Sequence, residues 1–397
     1  MRSMVSLSCV PACVCVRSPA VRVSRGPGVR GTVARQQHAQ QPHGHGARSY
    51  LPNLKKRHLI KPTKFSLGSM ATPDEGVEED GGLEDFVSKA HNPPQHVMTV
   101  PDFLDTAADL RGLYDKRFED PRETHPERFL WDYWHVPEQY TLMRTPAHVF
   151  FPEDMYQQLE DALLEYGQEV LGCRSLTHVW LSYYIDGCEQ QLHADVPHGP
   201  WAFTLSLTDW ANRKFKGGET MMLQPHVLNY WQEFDADSCY EYNNIMRTIP
   251  QEFNQLLVFD PRIPHGVRRV EGTKDPREAR IVLHGWFAEP VPFFRGGLEP
   301  EDCAEALDQA LDGLFDQLES VATALGTLTV RVHVSGESGL VESVTLLTDG
   351  LVVPPSVRME AAEVREEILY IVYTNLKPAQ FPTAAEDSFI TIPFVFQ

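Results

Sequence analysis

His193 and Asp195 lie two positions apart, and His265 follows about seventy residues later, soon after an apolar run. Side chains at i and i+2 of a strand point to the same face, so His193 and Asp195 can present an imidazole and a carboxylate side by side. A second imidazole from a neighbouring strand would complete a triangle. Two His and one carboxylate on one face can hold Fe(II) and leave the opposite positions open for a cosubstrate and O2.

Zinc is the main alternative metal for such a ligand set. It more often recruits thiolates or a third His, and the chain contains neither a Cys-x-x-Cys nor a His-Glu-x-x-His motif. The ligand types therefore favour iron. Because a His-x-Asp pair is weak evidence in a chain with 16 His, the elements around it must support the assignment.

The sequence around the candidate ligands predicts an antiparallel β unit. We predict strands over residues 201–207, 219–223 and 254–259, with a Gly-Gly turn before the second, and the third runs toward His265. A further β-rich run, residues 280–287, opens with Arg280. An iron with open positions needs a bidentate organic acid, whose far carboxylate requires a fixed guanidinium, and Arg280 is placed to supply it.

The order of these motifs carries a family resemblance. His-x-Asp, a Gly-Gly-Glu turn, Pro-His-x-Val, and Arg followed six residues later by Trp-Phe resemble the prolyl 4-hydroxylase-type 2-oxoglutarate/Fe(II)-dependent dioxygenases over about residues 176–290. The resemblance implies a mainly β fold with flanking helices, in which the core is a double-stranded β-helix (jelly roll). It also implies that His193, Asp195 and His265 are the iron ligands.

The same resemblance implies two cosubstrate contacts. Arg280 would pair with the C5 carboxylate of 2-oxoglutarate, and Tyr184, on the strand before His-x-Asp, would be a second contact. In the family the basic residue commonly lies nine or ten positions after the distal His, where this chain has Lys274. Arg280 keeps the spacing to the Trp-Phe pair, so we favour an insertion in the turn-rich loop before it, with Lys274 as the alternative.

Hydroxylation of an unactivated C–H is the activity that the resemblance implies, with Fe(II) as cofactor, 2-oxoglutarate and O2 as cosubstrates, ascorbate as a further requirement, and succinate and CO2 as products. Peptidyl proline of a protein is the substrate suggested by the resemblance alone. A small-molecule hydroxylase and a non-catalytic jelly-roll binding module are the alternatives. The acidic body of the chain argues against DNA or RNA as partner.

Charge divides the chain sharply. Residues 1–73 contain twelve Lys and Arg and no Asp or Glu, whereas the remaining 324 residues carry 23 basic and 55 acidic side chains. An acid-free, Arg-bearing start is typical of organelle transit peptides, and we expect the chloroplast ahead of the mitochondrion. A secretory signal and a nucleic-acid-binding tail are the other interpretations. No apolar run approaches the length of a membrane span.

Five segments follow from composition and periodicity. They are a basic transit or disordered segment (1–73), an acidic, partly disordered extension (74–128) with helical patches such as 100–116, an oxygenase domain (129–292), a helical connector (293–326) and a C-terminal ββαβ module (327–397). We also predict an aromatic cover over 127–149 and an amphipathic helix over 153–171. Residues 223–248 are predicted to form either a flap near the mouth of the site or a surface excursion without a catalytic role.

The C-terminal module is weakly similar to the C-terminal modules of TonB-type energy transducers. An exposed edge strand there could pair with another chain, so we expect a homodimer or a protein partner. Scattered cysteines without framework spacing are expected to be free thiols. The histidines His198, His226 and His284 are expected to be packed or solvated and not to be ligands.

Overall fold

The computed structural model describes residues 82–92, 94–120, 122, 130–195, 198–224, 245–321, 324–354 and 360–396, with the backbone of Cys15–Val16. Most of the predicted transit peptide (1–73) lies outside the described residues, which include only Cys15–Val16 of it. Most of the segment 223–248, including His226, also lies outside them, although a strand begins at Met246. The strands are β1 (Cys15–Val16), β2 (Val97–Val100), β3 (Asp132–Val136), β4 (Tyr140–Pro146), β5 (Cys173–Leu176), β6 (Trp180–Tyr184), β7 (Glu189–His193), β8 (Trp201–Ser206), β9 (Thr220–Leu223), β10 (Met246–Ile249), β11 (Leu256–Phe259), β12 (His265–Val267), β13 (Arg280–Pro290), β14 (Phe293–Gly296), β15 (Gly326–Val334), β16 (Val341–Asp349) and β17 (Ser388–Phe396). The α-helices are α1 (Gly82–Ser88), α2 (Ala107–Glu119), α3 (Ala147–Phe150), α4 (Glu153–Tyr166), α5 (Pro300–Leu318) and α6 (Ala361–Leu376).

Strands β2 to β13 form one large sheet in the order β10-β9-β12-β7-β4-β6-β13-β8-β11-β2, with β3 on β4 and β5 on β13. Every pairing in it is antiparallel. Early strands pair with late ones, as β7 does with β12 and β6 with β13, so the sheet curls around one concave face. This is a jelly-roll core with flanking helices, and it confirms the expected fold class.

The side chains of strand β13 alternate between the two faces of this sheet. Ile281, Leu283 and Phe287 are fully buried in the core that includes residues of α2 and α4. The alternate residues line a cavity on the concave face: Arg280, Val282, His284 and Trp286. The sequence pattern of this strand therefore separates the packing side chains from those available for chemistry.

Helix α4 buries the predicted apolar stripe but ends earlier than expected. Its α-helical part stops at Tyr166, and residues Gly167–Leu171 form a π-helical turn that closes on Gly172 at φ 65°. At Gly172 a Cβ would lie 2.7 Å from the ring of Pro393 in β17, so this position accepts only glycine without rearrangement. The π turn thus fits closely against the second sheet.

One prediction for the acidic extension needs correction. The helical patch expected over 100–116 begins only at Ala107, because Val97–Val100 is strand β2, paired with β11. The expected partial disorder of the extension stays a prediction, because residues 74–81 lie outside the described residues. From Gly82 to Ser88 the extension forms helix α1, whose Phe86 packs against Tyr373 of α6.

The C-terminal unit has its own sheet, β17-β15-β16, extended by β14 antiparallel to β17 and by β1 parallel to it. The chain order β15-β16-α6-β17 is the ββαβ order expected from the sequence. The predicted helical connector contributes not only α5 but also strand β14 to this unit. The likeness to TonB-type modules stays a prediction.

The two sheets are joined by buried polar contacts at the π turn. The guanidinium of Arg331 donates from Nη2 to the carbonyl of Glu169 at 2.7 Å and lies 3.2 Å from its carboxylate. Thr391 Oγ1 donates to the same carbonyl at 3.2 Å. At another point Arg262 Nη1 donates to the carbonyl of Phe396 at 2.8 Å.

Three cysteines of the described part, Cys173, Cys188 and Cys303, are buried thiols outside any disulfide, as expected. None of the helices in the described ranges combines the length and apolarity of a membrane span.

Candidate metal and cosubstrate site

The three predicted metal ligands lie together. His193 ends β7 and His265 begins β12, and these two residues are register partners across the antiparallel pair, with ring centres 4.6 Å apart. Asp195 lies just beyond β7 and is fixed by its N–H, which donates to the carbonyl of Pro261 at 2.8 Å. One carboxylate oxygen is 3.5 Å from His193 Nε2, and the other is 3.3 Å from His265 Nε2.

Backbone carbonyls set the tautomer of both rings. His193 Nδ1 lies 2.8 Å from the carbonyl of Gln191, and His265 Nδ1 lies 2.9 Å from that of Ile263. Because a carbonyl only accepts, each Nδ1 carries a proton, and Nε2 of each ring is the nitrogen that faces Asp195. Metal-bound histidines are oriented in this way by a carbonyl on their second nitrogen.

The electrostatics of this triangle call for a cation. Burial alone would raise the pKa of Asp195, but a hydrogen bond and charge from His265, and the charges of His193 and His198, lower it when these rings are protonated, so Asp195 is a carboxylate. Two imidazole lone pairs facing a carboxylate repel unless a proton or a metal ion lies between them. With three N and O ligands on one side, the donor set fits Fe(II).

The backbones of β7 and β12, the strands that carry His193 and His265, approach each other closely at Gly266. A Cβ on Gly266 would lie 2.4 Å from the carbonyl of Gln190 and 3.0 Å from that of Gln191, both in β7. The residue after His265 must therefore be glycine for β12 to pair with β7 at this distance. Sequence reasoning did not assign this role to Gly266, although a Gly inside a strand pattern signals such an approach.

Arg280 lies on the concave face beside Tyr184, its register partner on β6. Its side chain is only 1% exposed, and its guanidinium carbon lies 4.6 Å from the centre of the Tyr184 ring. Nη2 donates to Thr220 Oγ1 at 3.3 Å, whereas Nε and Nη1 have no hydrogen-bond partner among the described residues. A buried guanidinium with two unpaired N–H donors fits a carboxylate. The distal end of 2-oxoglutarate is such a carboxylate.

Tyr184 lies in the same cavity with its hydroxyl engaged. The hydroxyl donates to Gln190 Oε1 at 3.0 Å, and burial raises the pKa of Tyr184 to about 12. Tyr184 therefore stays a neutral donor at physiological pH. Its aromatic face supports the guanidinium of Arg280, and its hydroxyl could turn to a bound acid.

The alternative residue for the cosubstrate carboxylate is placed differently. Lys274 is exposed on the loop before β13 and does not line the cavity. Arg268 and Arg269 are also exposed, and Arg268 lies 3.9 Å from Glu219. Of the cations considered from the sequence, the structure brings Arg280 into the cavity.

Two other histidines line the cavity outside the metal triangle. His284 Nε2 lies 2.7 Å from Ser182 Oγ, and burial lowers the pKa of His284 to about 3, so this ring is neutral. His198 is exposed, with its ring centre 4.5 Å from that of Trp286. Neither belongs to the His193, Asp195 and His265 group that could hold an ion.

The cavity that contains all these groups has a volume of about 420 Å³. Its wall is largely aromatic: Trp134, Tyr140, Trp180, Phe203, Phe259 and Trp286. The predicted aromatic cover over 127–149 proves to be the β3–β4 hairpin, part of the sheet itself. Trp131 packs against the core, while Trp134 and Arg144 reach the cavity. No sequence pattern indicated the position of Arg144.

Comparison with known proteins yields similarity of fold only. No family model matches the chain, and no curated protein does. Among solved structures, it is similar to a prolyl-4-hydroxylase of Pseudomonas putida (17% identity, 52% of this chain and 98% of that chain, TM-score 0.34). It is also similar to a prolyl hydroxylase of Trichoplax adhaerens in complex with a hypoxia inducible factor peptide fragment (13% identity, 52% and 88%, TM-score 0.36).

A third similar structure is HygX of Streptomyces hygroscopicus with nickel, 2-oxoglutarate and hygromycin B bound (13% identity, 49% of this chain and 83% of that chain, TM-score 0.31). One of these structures thus contains a peptide fragment and another contains hygromycin B. At such identities and TM-scores the likenesses say nothing about the substrate or activity of this chain.

Proposed function

We propose that this protein is an Fe(II)/2-oxoglutarate-dependent dioxygenase that hydroxylates an unactivated C–H. One observation carries the proposal: the Nε2 atoms of two imidazoles and a carboxylate converge in the cavity into which a buried arginine with two unpaired donors also projects. His193, Asp195 and His265 would hold the metal on one side. Arg280 would hold the C5 carboxylate of the cosubstrate, with Tyr184 as a further contact.

Fe(II), when bound, supplies the activation of O2, with 2-oxoglutarate oxidised to succinate and CO2. The protein contributes position and exclusion of water. The backbone carbonyls behind both rings keep their Nε2 atoms directed at the metal position, and Asp195 offsets part of its charge. The aromatic wall shields the reacting C–H from solvent. A requirement for ascorbate belongs to the same proposal.

Peptidyl proline of a protein is the substrate that we propose first. Its support is the order of motifs in the sequence, together with the position of the cavity beside the exposed hairpin strand β3, where Trp134 belongs to both. A small-molecule substrate is the second candidate, because a cavity of about 420 Å³ is of a size that commonly encloses a small ligand.

The decisive test is reconstitution with Fe(II) and 2-oxoglutarate in the absence of O2. We expect a weak visible charge-transfer band, and succinate after O2 is admitted. His193→Ala should remove both, because two ligands cannot hold the metal with comparable affinity. His148→Ala, which changes an exposed histidine on α3 outside the cavity, should retain both. A His193→Ala protein that keeps the band would refute the ligand assignment.

A further inference from the structure

A second cation, Arg144, lies on the concave face of the sheet. Arg144 on β4 is the register partner of Ser182 on β6, which is the partner of Val282 on β13, so it projects to the same side as the cavity-lining residues of β13. Its guanidinium carbon lies 3.7 Å from the centre of the Trp134 ring and 4.2 Å from that of Trp180. The two indoles hold it in place, which limits the freedom that binding would otherwise remove.

The charge of Arg144 is poorly compensated. The nearest carboxylate is Asp132, with Oδ2 4.0 Å from Nε, and the Asp132 side chain is 60% exposed to water. An ion pair of that length and exposure contributes little. Nε of Arg144 has no hydrogen-bond partner among the described residues, and burial lowers the pKa of Arg144 more than Asp132 raises it. The guanidinium nevertheless remains charged, because arginine does not lose its proton in proteins.

The cosubstrate does not account for Arg144. In the function proposed above, the 2-oxo acid end of 2-oxoglutarate belongs to the metal and its C5 carboxylate to Arg280, so both of its carboxylates are assigned. The strands of Arg144 and Arg280 are separated by β6, which puts their backbones about 10 Å apart across the sheet. The cavity therefore offers one more cation than the metal and cosubstrate require.

We propose that Arg144 is the substrate-binding cation of this site and that the substrate carries a carboxylate. A planar guanidinium with its faces against indole rings has its N–H edge left for in-plane hydrogen bonds, and carboxylate matches that fork in shape and charge. Asp195 lines the same cavity and disfavours a dianion, so a monoanionic carboxylate suits this cavity better than a phosphate. The carboxylate would be a fixed point from which the oxidised C–H is directed to the metal.

This inference rests on the proposed function, and its test uses binding, so that the two can fail separately. Full-length protein is loaded with Mn(II) and saturating N-oxalylglycine, which occupies the Arg280 site. Cyclohexanecarboxylate and cyclohexanecarboxamide, two probes of the same shape that differ in charge, are then titrated by calorimetry and by the fluorescence of the tryptophans around Arg144. Binding of Mn(II) and N-oxalylglycine is measured first on the same samples.

We expect the carboxylate to bind roughly ten- to a hundredfold more tightly than the amide, the range for a hydrogen bond to a charged partner. Arg144→Gln should reduce this preference to about twofold or less, and Arg144→Lys should keep part of it because the charge remains. Arg213→Gln is the matched control: its guanidinium also lies 4.2 Å from an indole centre, that of Trp210, but outside the cavity. It should behave like the unaltered protein.

Three outcomes would overturn the assignment of Arg144. They are an unaltered protein without preference for the carboxylate, a preference that survives Arg144→Gln, and a loss of N-oxalylglycine binding in Arg144→Gln, which would make Arg144 a cosubstrate residue. If the unaltered protein fails to bind Mn(II), the proposed function falls. The titration of the Arg144 variants without metal still decides whether this cation selects carboxylates.

Discussion

At the residue scale, the site is defined by groups whose normal partners are missing from the protein itself. The Nε2 lone pairs of His193 and His265 face a carboxylate, and two donors of Arg280 face the cavity without an acceptor. Such arrangements cost free energy in the unliganded protein, on the order of 1–3 kcal/mol for each buried unpaired group. They are expected where a ligand completes the pairing.

Arg280 is therefore expected to lower the stability of the unliganded protein and to strengthen 2-oxoglutarate binding. Arg280→Met keeps an unbranched apolar stem and removes the unpaired donors, so we expect the unliganded protein to gain about 1 kcal/mol in the free energy of unfolding. The same change should weaken 2-oxoglutarate binding by roughly tenfold or more. Urea unfolding and titration of the charge-transfer band measure the two effects.

Lys274→Met is the matched control, because Lys274 is exposed and outside the cavity. It should leave cosubstrate binding within about twofold, in keeping with the small effects of surface substitutions. If Lys274→Met weakens 2-oxoglutarate binding and Arg280→Met does not, the C5 carboxylate belongs to the lysine.

At the element scale, the ligand strands β7 and β12 depend on a position without a side chain. Gly266→Ala would place a Cβ within 2.4 Å of the Gln190 carbonyl, so the two strands must separate by several tenths of an ångström or more. We expect metal affinity to fall by at least about tenfold, because a ligand set loses binding when its geometry is disturbed. Calorimetric titration with Mn(II) or Co(II) provides the measurement.

Gly112→Ala tests whether any added methyl group has this effect. Gly112 lies in α2, with nothing within 4 Å of the added Cβ. The change should leave metal affinity unaltered and stabilise the helix by about 0.5–1 kcal/mol. Equal metal affinity in Gly266→Ala and the unaltered protein would show that the close approach of β7 and β12 is not needed.

Local sequence patterns predicted much of the fold and the site. A β-rich run identified the strand from Arg280 onward, and the His-x-Asp spacing with the later Pro-His-x-Val segment identified the members of the metal triangle. Pairing between distant strands could not be predicted, which is why the role of the β3–β4 hairpin and the position of Arg144 were missed. Asp195 lies beyond the end of β7, so its direction comes from the hydrogen bond to Pro261 and not from strand periodicity.

At the scale of the whole molecule, the C-terminal unit is bound to the core through the π turn of α4. Glu169 accepts hydrogen bonds from Arg331 and Thr391 at its carbonyl and lies 3.6 Å from Arg295 at its carboxylate. Through Arg262 the last strand also contacts the loop that leads into His265. The expected role as a partner-binding module stays a prediction, and the observed contacts show that the unit is also part of the support of the core.

Arg331→Ala should weaken this connection. The Arg331 side chain is 18% exposed, so its charged hydrogen bonds to Glu169 are partly shielded from water, and their loss should cost about 1–3 kcal/mol of unfolding free energy. Arg295→Ala removes a guanidinium that is 65% exposed and should cost less than about 0.5 kcal/mol. Urea unfolding of both variants gives the comparison, and equal losses would place the connection elsewhere.

The rates at which two buried thiols are alkylated can report the opening of the core around each of them. Cys173 belongs to the core of the large sheet and Cys303 to that of the C-terminal unit, and each is at most 1% exposed. Burial raises the pKa of Cys303 to about 11, so at pH 8 little of the reactive thiolate is present even where a reagent gains access. Alkylation at either sulfur must then wait for the surrounding core to open, and the relative labelling rates tell whether the two cores open as one cooperative body or one before the other.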